Sequence, residues 1–423
     1  MDKINNILEE IKLPEVIKVK QMFNKTSTNN VEEEIKRLLS GGNFKNKIKK
    51  GKTVAITGGS RGISNYKIIM KTIVDFVKGQ GGIPFIVPAM GSHGGGDAKG
   101  QKHILEKLGI TQENMGCEIK SSMEVVEIGK TIKGLPVYID KNAFDAHGII
   151  LVNRIKAHTS FRGEYESGLV KMLAIGLGKR KGADITHSLR FEKMAENIVE
   201  SAKVSLSKLN ILFGVGTIEN AYDDIANINI LNKDEILIKE PLLLEKSKEL
   251  MGKLYLDNID VLIVKEIGKN ISGTGMDTNI IGRYHTKAAS GGPNITKIGV
   301  LSLNSSSNGN ANGMGLADFI SKKFYNNIEF ESTYLNAITS TEPNSIKLPM
   351  VLENDKYVFK ACAKTCGILN YKNIKLVIIE NTKNLNEIYM SKEAYESVSE
   401  QEMVETEGSY FEINFDENGN FII

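Results

Sequence analysis

TVAITGGSRGISNYKIIMKTIVDFVKGQGGIPFIVPAMGSHGGGDAKGQKHILEKLG, residues 53–109, decides the fold. It reads as two strand–loop–helix units in succession. Residues 53–57 are β-branched and apolar, GGSRG (58–62) is a loop, and 66–78 carries Ile68, Ile69, Thr72, Ile73, Phe76 and Val77 at helical spacing. The glycines of 79–82 stop that helix. The second unit follows at once: IPFIVPAM is a buried-strand run, GSHGGGD a loop, and 98–108 a helix that Asp97 caps and Gly109 ends. Strands alternating with helices predict an α/β fold with a Rossmann-like, mostly parallel sheet. Ligands of such sheets sit outside the carboxyl ends of the strands. Both glycine-rich loops lie at that edge.

Working outward, 14–23 predicts a strand and 32–39 a short charged helix. GIILVN (148–153) is a third apolar strand, and it leads into NRIKAHTSFRGEYESGLVKMLAIGLGKRKGADITH, residues 153–187. A helix is expected over 191–208 with Ser188 as its N-cap, a strand over 211–218, and a helix over 241–253 leading out of the first domain. A second alternation then begins, with strands at 260–265 and 298–303, a helix at 315–323, strands near 375–380 and a strand pair at the end. The expected organisation is an N-terminal domain over 1–250, a smaller α/β domain over 251–400, and a tail over 401–423 that packs back on the first domain.

Composition narrows the function classes. A chain of 423 residues with 41% hydrophobic and 25% charged residues fits a soluble globular protein of two or three domains. A net charge of +3 gives no support to a nucleic-acid or membrane-surface role. No apolar run approaches the roughly 18 residues of a spanning helix. The first residues lack the apolar core of a signal peptide, and three cysteines fit a reduced compartment, so the expected location is cytoplasmic.

The site candidates cluster. Residues 153–187 hold two of the six histidines, His158 and His187, and four of the seven arginines lie in or just past them. His158 follows a strand at the ligand edge, flanked by Arg154 and Lys156; cations beside it favour the neutral imidazole that a general base or metal ligand needs. Lys171 sits among apolar residues in GLVKMLAIGLG. Desolvation there would make it a nucleophile or attachment point; a snorkelling lysine whose head reaches water is the other reading. His187 is a ligand or a helix-entry cap. His93 stands among four glycines directly after a strand, as a functional residue or a satisfied loop histidine. His147 and His285 have no constellation around them. TGGSRGIS (57–64) looks like a dinucleotide loop but lacks its last glycine and the acidic residue about 20 positions on. It is also readable as an anion loop around Arg61, or as a plain turn.

Taken in order, the Arg61 loop, the Gly-Ser-His-Gly loop, His158, Ser167-Gly168-x-x-Lys171 and, sixteen residues on, His187 resemble the nickel-pincer lactate racemases and their relatives. The resemblance implies a racemase or epimerase of a 2-hydroxy acid, with its active site in the cleft between two α/β domains. It implies a nickel-pincer nucleotide (pyridinium-3-thioamide-5-thiocarboxylic acid mononucleotide) and cofactor-biosynthesis enzymes as partners. Lys171 would anchor that cofactor, with Ser167, Gly168, Gly91 and Gly94 around it. His187 would bind nickel, and His93 and His158 would be paired acid/bases. Arg61 would lie near the substrate carboxylate, and Lys269 would come from the second domain. The sequence departs from the family pattern in three places. Val170 replaces an arginine before the modified lysine, Gly58 replaces an acid before Arg61, and the run from His158 to Lys171 is a few residues longer. These departures imply a 2-hydroxy acid larger than lactate or differently charged. A nicotinamide-dependent oxidoreductase and a non-catalytic nucleotide or cofactor binder are the alternatives.

Overall fold

The computed structural model describes residues 2–188 and 190–422. The chain divides into two compact units, one spanning Lys25–Met251 and the other joining the first 24 residues to Gly252 onward. The fold is mixed α/β with mostly parallel sheets. Among the described residues no helix is long and apolar enough to cross a membrane.

The unit 25–251 is built on a six-stranded sheet, whose strands are β2 (Thr53–Gly58), β3 (Ile83–Pro88), β4 (Glu118–Ile119), β7 (Gly148–Arg154), β8 (Ile211–Glu219) and β9 (Ile225–Leu231). Strands β5 (Val125–Lys130) and β6 (Pro136–Asp140) form a separate hairpin. The sheet order is β4-β3-β2-β7-β8-β9, all parallel except β9. The central strands are buried almost without alternation, as expected of parallel strands covered on both faces. Helices Val31–Gly41 and Tyr66–Gly79 place Ile35, Leu39, Ile69 and Ile73 in one core with Ile56, Ile86, Ile150 and Phe213. Asp97 caps helix Ala98–Lys107 as expected, accepting the Gly100 N–H.

This strand order reverses direction between β2 and β7, so those two loops leave the sheet at the topological switch point, where doubly wound folds bind ligands. The paired register there runs from Val54–Gly148 to Ile56–Ile150. Beyond it the Thr57 hydroxyl, rather than a backbone carbonyl, accepts the Val152 N–H at 2.9 Å.

Three element expectations change. Ser188 ends a helix of its own, Lys179–Ser188, instead of capping the next, and helix Met194–Lys208 follows a 3-10 turn at Phe191–Lys193. The helix expected to start at Pro241 begins earlier, as Ile236–Leu250, behind a capping box between Asn232 and Glu235. Pro241 therefore lies inside it. Proline lacks the N–H that would bond the Leu237 carbonyl, and the Tyr165 hydroxyl donates to that carbonyl instead. Residues 315–323 are not one helix: a 3-10 turn at Met314–Leu316 leads to β12 (Phe319–Ser321), which extends the sheet beside β11 (Asn294–Leu303). Ser321 then caps the short helix Lys322–Asn326.

In the other unit an eight-stranded sheet runs β13-β12-β11-β10-β14-β15-β1-β16. Its strands are β1 (Val16–Gln21), β10 (Asn258–Ile267), β11 (Asn294–Leu303), β12, β13 (Met350–Leu352), β14 (Leu376–Ile379), β15 (Glu387–Ser391) and β16 (Val404–Phe411). The first 24 residues, expected in the N-terminal domain, belong here because β1 fills the place between β15 and β16. Residues 404–411 of the expected tail pair with β1 in this sheet.

Tyr165→Phe isolates the contribution of the hydroxyl opposite Pro241. It should cost about 1–1.5 kcal/mol in urea unfolding, the value of a lost hydrogen bond with a partner left unmet. An unchanged midpoint would show that water replaces the hydroxyl.

Candidate functional site at the switch point

The segment after β7 folds back on itself. Lys156 and Ser167 exchange both backbone hydrogen bonds (2.9 and 3.1 Å), which closes the loop 157–166 into a bounded excursion. Asn153 Nδ2 donates to the Gly168 carbonyl at 2.7 Å. One helical turn follows, Leu169–Lys171, and then a π-helical turn, Met172–Gly176, with Leu177 N–H bonding the Met172 carbonyl at 2.9 Å. Turns of that kind inside helices concentrate at functional sites.

Lys171 ends the helical turn half-buried. Burial is the main cause that brings its pKa down to about 7, helped by the Arg61 and Lys156 charges and opposed by Glu166. Its Nζ lies 6.0 Å from the centre of the Phe161 ring. The same ring packs against His158, with centroids 4.3 Å apart. Lysine, phenylalanine and histidine thus share one wall, with Arg61 and Lys156 in electrostatic reach. Nothing in the composition singled out Phe161; only the fold brings it between the two.

His158 is held at two points. Its backbone N–H donates to Glu166 Oε2 at 2.6 Å, and its Nδ1 accepts the Ser160 backbone N–H at 3.0 Å. An amide N–H can only donate, so Nδ1 presents its lone pair and the neutral ring carries its proton on Nε2. Glu166 is 1% exposed and faces inward. Lys248 lies 3.1 Å from its Oε1, and Arg162 lies 3.5 Å from its Oε2 while also donating to the His158 carbonyl at 2.7 Å.

The β2 loop is tied down by its own side of the protein. The Tyr66 hydroxyl accepts the Gly59 N–H at 2.7 Å, and Glu219 Oε1 accepts the Ser64 N–H at 2.7 Å while its other oxygen pairs with Arg154. Gly58 is fixed by packing, since a Cβ there would stand 2.9 Å from Leu105 Cδ2. Ser60 Oγ shares a hydrogen bond with His93 Nδ1, which joins this loop to the next.

The His93 loop rests on a buried hub. Gln101 donates to the carbonyls of Gly91 (2.8 Å) and His93 (3.3 Å), and its own oxygen accepts from Lys179 Nζ at 3.1 Å. Lys179 also donates to the Pro88 carbonyl at 2.6 Å and lies 3.2 Å from Asp140; both charged side chains are fully buried. Burial pulls the Lys179 pKa down and pushes the Asp140 pKa up, against their mutual attraction. Lys179 takes a left-handed φ of 54° as it opens the helix that carries His187. The hub therefore links the end of β3, the end of β6, the His93 loop and the His187 helix. Gly91 packs on Ile175 and on Ala183 of that helix, and Gly94 packs on the backbone of Gly100 and Gln101, so both glycines answer to internal contacts. The half-buried His187 has its ring centre 5.9 Å from that of Phe191.

Lys269 belongs to the other unit, where its Nζ donates to the Gly273 carbonyl at 2.8 Å. His285, to which the sequence gave no constellation, is buried in that unit. Burial, with the Lys269 charge second, pushes its pKa down to about 4. The two lie sixteen residues apart, and no local spacing rule joins them.

A doubly wound domain with a low-pKa lysine and two oriented imidazoles near its switch point defines a candidate small-molecule enzyme. Residues 3–199 match the lactate racemase N-terminal domain family. Among curated proteins none matches. Among solved structures, the lactate racemase apoprotein from Thermoanaerobacterium thermosaccharolyticum is similar over 87% of this chain and 99% of that one, with a TM-score of 0.55 and 14% identity. That likeness is one of fold.

Two measurements test this geometry. Lys179→Met leaves Asp140 buried without its cation and should cost about 3 kcal/mol in chemical denaturation; a loss below about 1 kcal/mol would remove the hub from the account. Nitrogen-15 NMR of histidine-labelled protein should find His158 with a bare Nδ1 and a protonated Nε2 at neutral pH. The opposite tautomer would mean that Ser160 does not set the ring.

Proposed function

We propose that this protein is an isomerase that racemises or epimerises a 2-hydroxy acid, using a nickel-pincer nucleotide held on Lys171. The observation that carries the reading is the state of Lys171. Bond formation to a lysine needs the neutral amine, and with a pKa of about 7 roughly half of it is neutral at pH 7. Lys171 also stands where the family resemblance puts the anchor, next to a π-helical turn.

The donor chemistry fits the group. Imidazole suits nickel, and His187 would be the protein's ligand. Among the described residues no group of three or more His, Cys, Asp or Glu side chains is arranged to hold a metal ion. When bound, the group would supply a reversible hydride acceptor. The protein's part is proton handling and orientation. Arg61 would hold the substrate carboxylate. His93, steadied at Nδ1 by Ser60, would exchange a proton with the substrate hydroxyl, and His158 would present its Nε2–H from the opposite hand. Two imidazoles are needed because each enantiomer offers its hydroxyl to a different one.

The oxidoreductase alternative is less well supported. A dinucleotide loop must leave its N–H groups for phosphate. Here the Gly59 N–H goes to Tyr66 and the Ser64 N–H to the Glu219 carboxylate, an anion already seated at the start of helix Tyr66–Gly79.

Protein produced together with the pincer-synthesising enzymes should carry nickel and an adduct on Lys171 by intact mass, and it should interconvert enantiomers of a 2-hydroxy acid on a chiral column. Lys171→Ala should lose the adduct; the same mass increment in that variant would sink the assignment. His93→Ala and His158→Ala should each slow interconversion at least ~100-fold.

A further inference from the structure

Glu240 is a buried acid that the chemistry above does not use. It is 1% exposed, on helix Ile236–Leu250, next to Pro241. Its Oε2 accepts the N–H groups of Leu169 at 2.9 Å and Val170 at 3.0 Å. These begin the helical turn that ends at Lys171, and the turn's own N-cap, Gly168, offers no side chain. The first N–H groups of any helix lack partners within it, and a carboxyl from 70 residues away supplies them here.

The neighbouring residues are shaped around this contact. A Cβ on Gly168 would stand 2.2 Å from Glu240 Oε1, so only glycine allows the carboxyl to reach the two amides. Leu169 seats the turn on the sheet, where a Cβ at Gly214 would meet its Cδ1 at 2.6 Å. Val170 is completely buried, which fixes the turn's rotation and leaves Lys171 as the residue that faces out of it.

We infer that Glu240 is a positioning residue: it caps in trans the turn that carries Lys171 and so holds that amine in its part-desolvated place. The inference rests on the reading of Lys171 as the reactive amine. Glu240 acts through the backbone and not through its charge. The charges that act on Lys171 are those of Arg61, Lys156 and Glu166. Burial raises the Glu240 carboxyl to about 8, against the pull of its two N–H partners, so near neutral pH it is largely uncharged.

The test measures Lys171 directly on protein made without cofactor. Competitive acetylation with acetic anhydride, read by peptide mass spectrometry across pH, gives the midpoint at which Lys171 becomes reactive. The wild type should show a midpoint of about 7. Glu240→Leu keeps bulk but offers no acceptor. The turn should loosen, and the midpoint should rise by more than about one pH unit toward the ordinary lysine value, cutting labelling at pH 7 at least about fivefold. Glu240→Gln keeps an acceptor oxygen and should hold the midpoint within about 0.3 units. A merely structural role would lower stability in both variants without moving the midpoint. A folded Glu240→Leu with an unmoved midpoint overturns the inference. A wild-type measurement stands beside it in case that variant does not fold: the amide shifts of Leu169 and Val170 should titrate together near pH 8 and lose this titration in Glu240→Gln. Flat amide shifts in the wild type overturn it equally. A missing adduct in cofactor-loaded protein would count against the proposed function and leave this result untouched.

Discussion

Strands β2 and β7 lie side by side in parallel, yet their backbone pairing runs only from Val54–Gly148 to Ile56–Ile150. The Thr57 hydroxyl then takes the Val152 N–H, and the two chains part. The Arg61 loop and the 157–166 excursion both start from this parting. One chain turns into the Arg61 loop, which Tyr66 and Glu219 hold. The other turns into the excursion that the Lys156–Ser167 bridge closes. The Ser60–His93 bond brings in the third loop.

The site works against the stability of the fold that holds it. Lys171 is brought to about 7 from an ordinary value of 10.5. Its folded pKa lies below its unfolded one, so it opposes folding wherever the unfolded chain would be protonated. That cost grows as pH falls from about 10.5 to about 7 and is constant below. Glu240 is raised to about 8 from 4.5, and its cost grows as pH rises between those values and is constant above. Near pH 7 to 8 both are largely in force. A half-buried lysine and a buried acid, joined through one helical turn, form a centre whose cost the surrounding core must offset. Such paired departures from ordinary pKa values are the usual physical signature of a reactive site.

What could be read from the sequence was whatever has a local signal. The two strand–loop–helix units, the Asp97 cap and the strand at 148–153 follow from apolar spacing and from capping residues within three positions of their targets. What could not be read depends on partners far apart in the chain. Glu240 meets Leu169 across 71 residues and Lys179 meets Gln101 across 78. Pro241 looked like a helix start because its missing N–H suits a first turn, and only the Tyr165 hydroxyl makes an interior position tolerable. The first strand seemed to belong to the domain that follows it, but strand pairing is decided by partners, and those of β1 lie past residue 386.

The glycines and the departures from the family pattern take on a different meaning once packing is known. Gly58, Gly91, Gly94 and Gly168 all suggest room for a ligand, yet a Cβ at each would press on this protein's own atoms: Leu105, Ile175, the Gly100–Gln101 backbone and Glu240. They are small so that the loops can close on the scaffold. The same holds for two of the positions that set this chain apart from the lactate enzymes. Val170 is completely buried, and a Cβ at Gly58 would press on Leu105. Neither presents a side chain to a substrate, so neither can choose one by contact. Selectivity for the proposed 2-hydroxy acid must then come from side chains that reach outward, with Arg61 and Lys156 the cations already coupled to Lys171. Burial first, and then those two cations, depress the Lys171 amine.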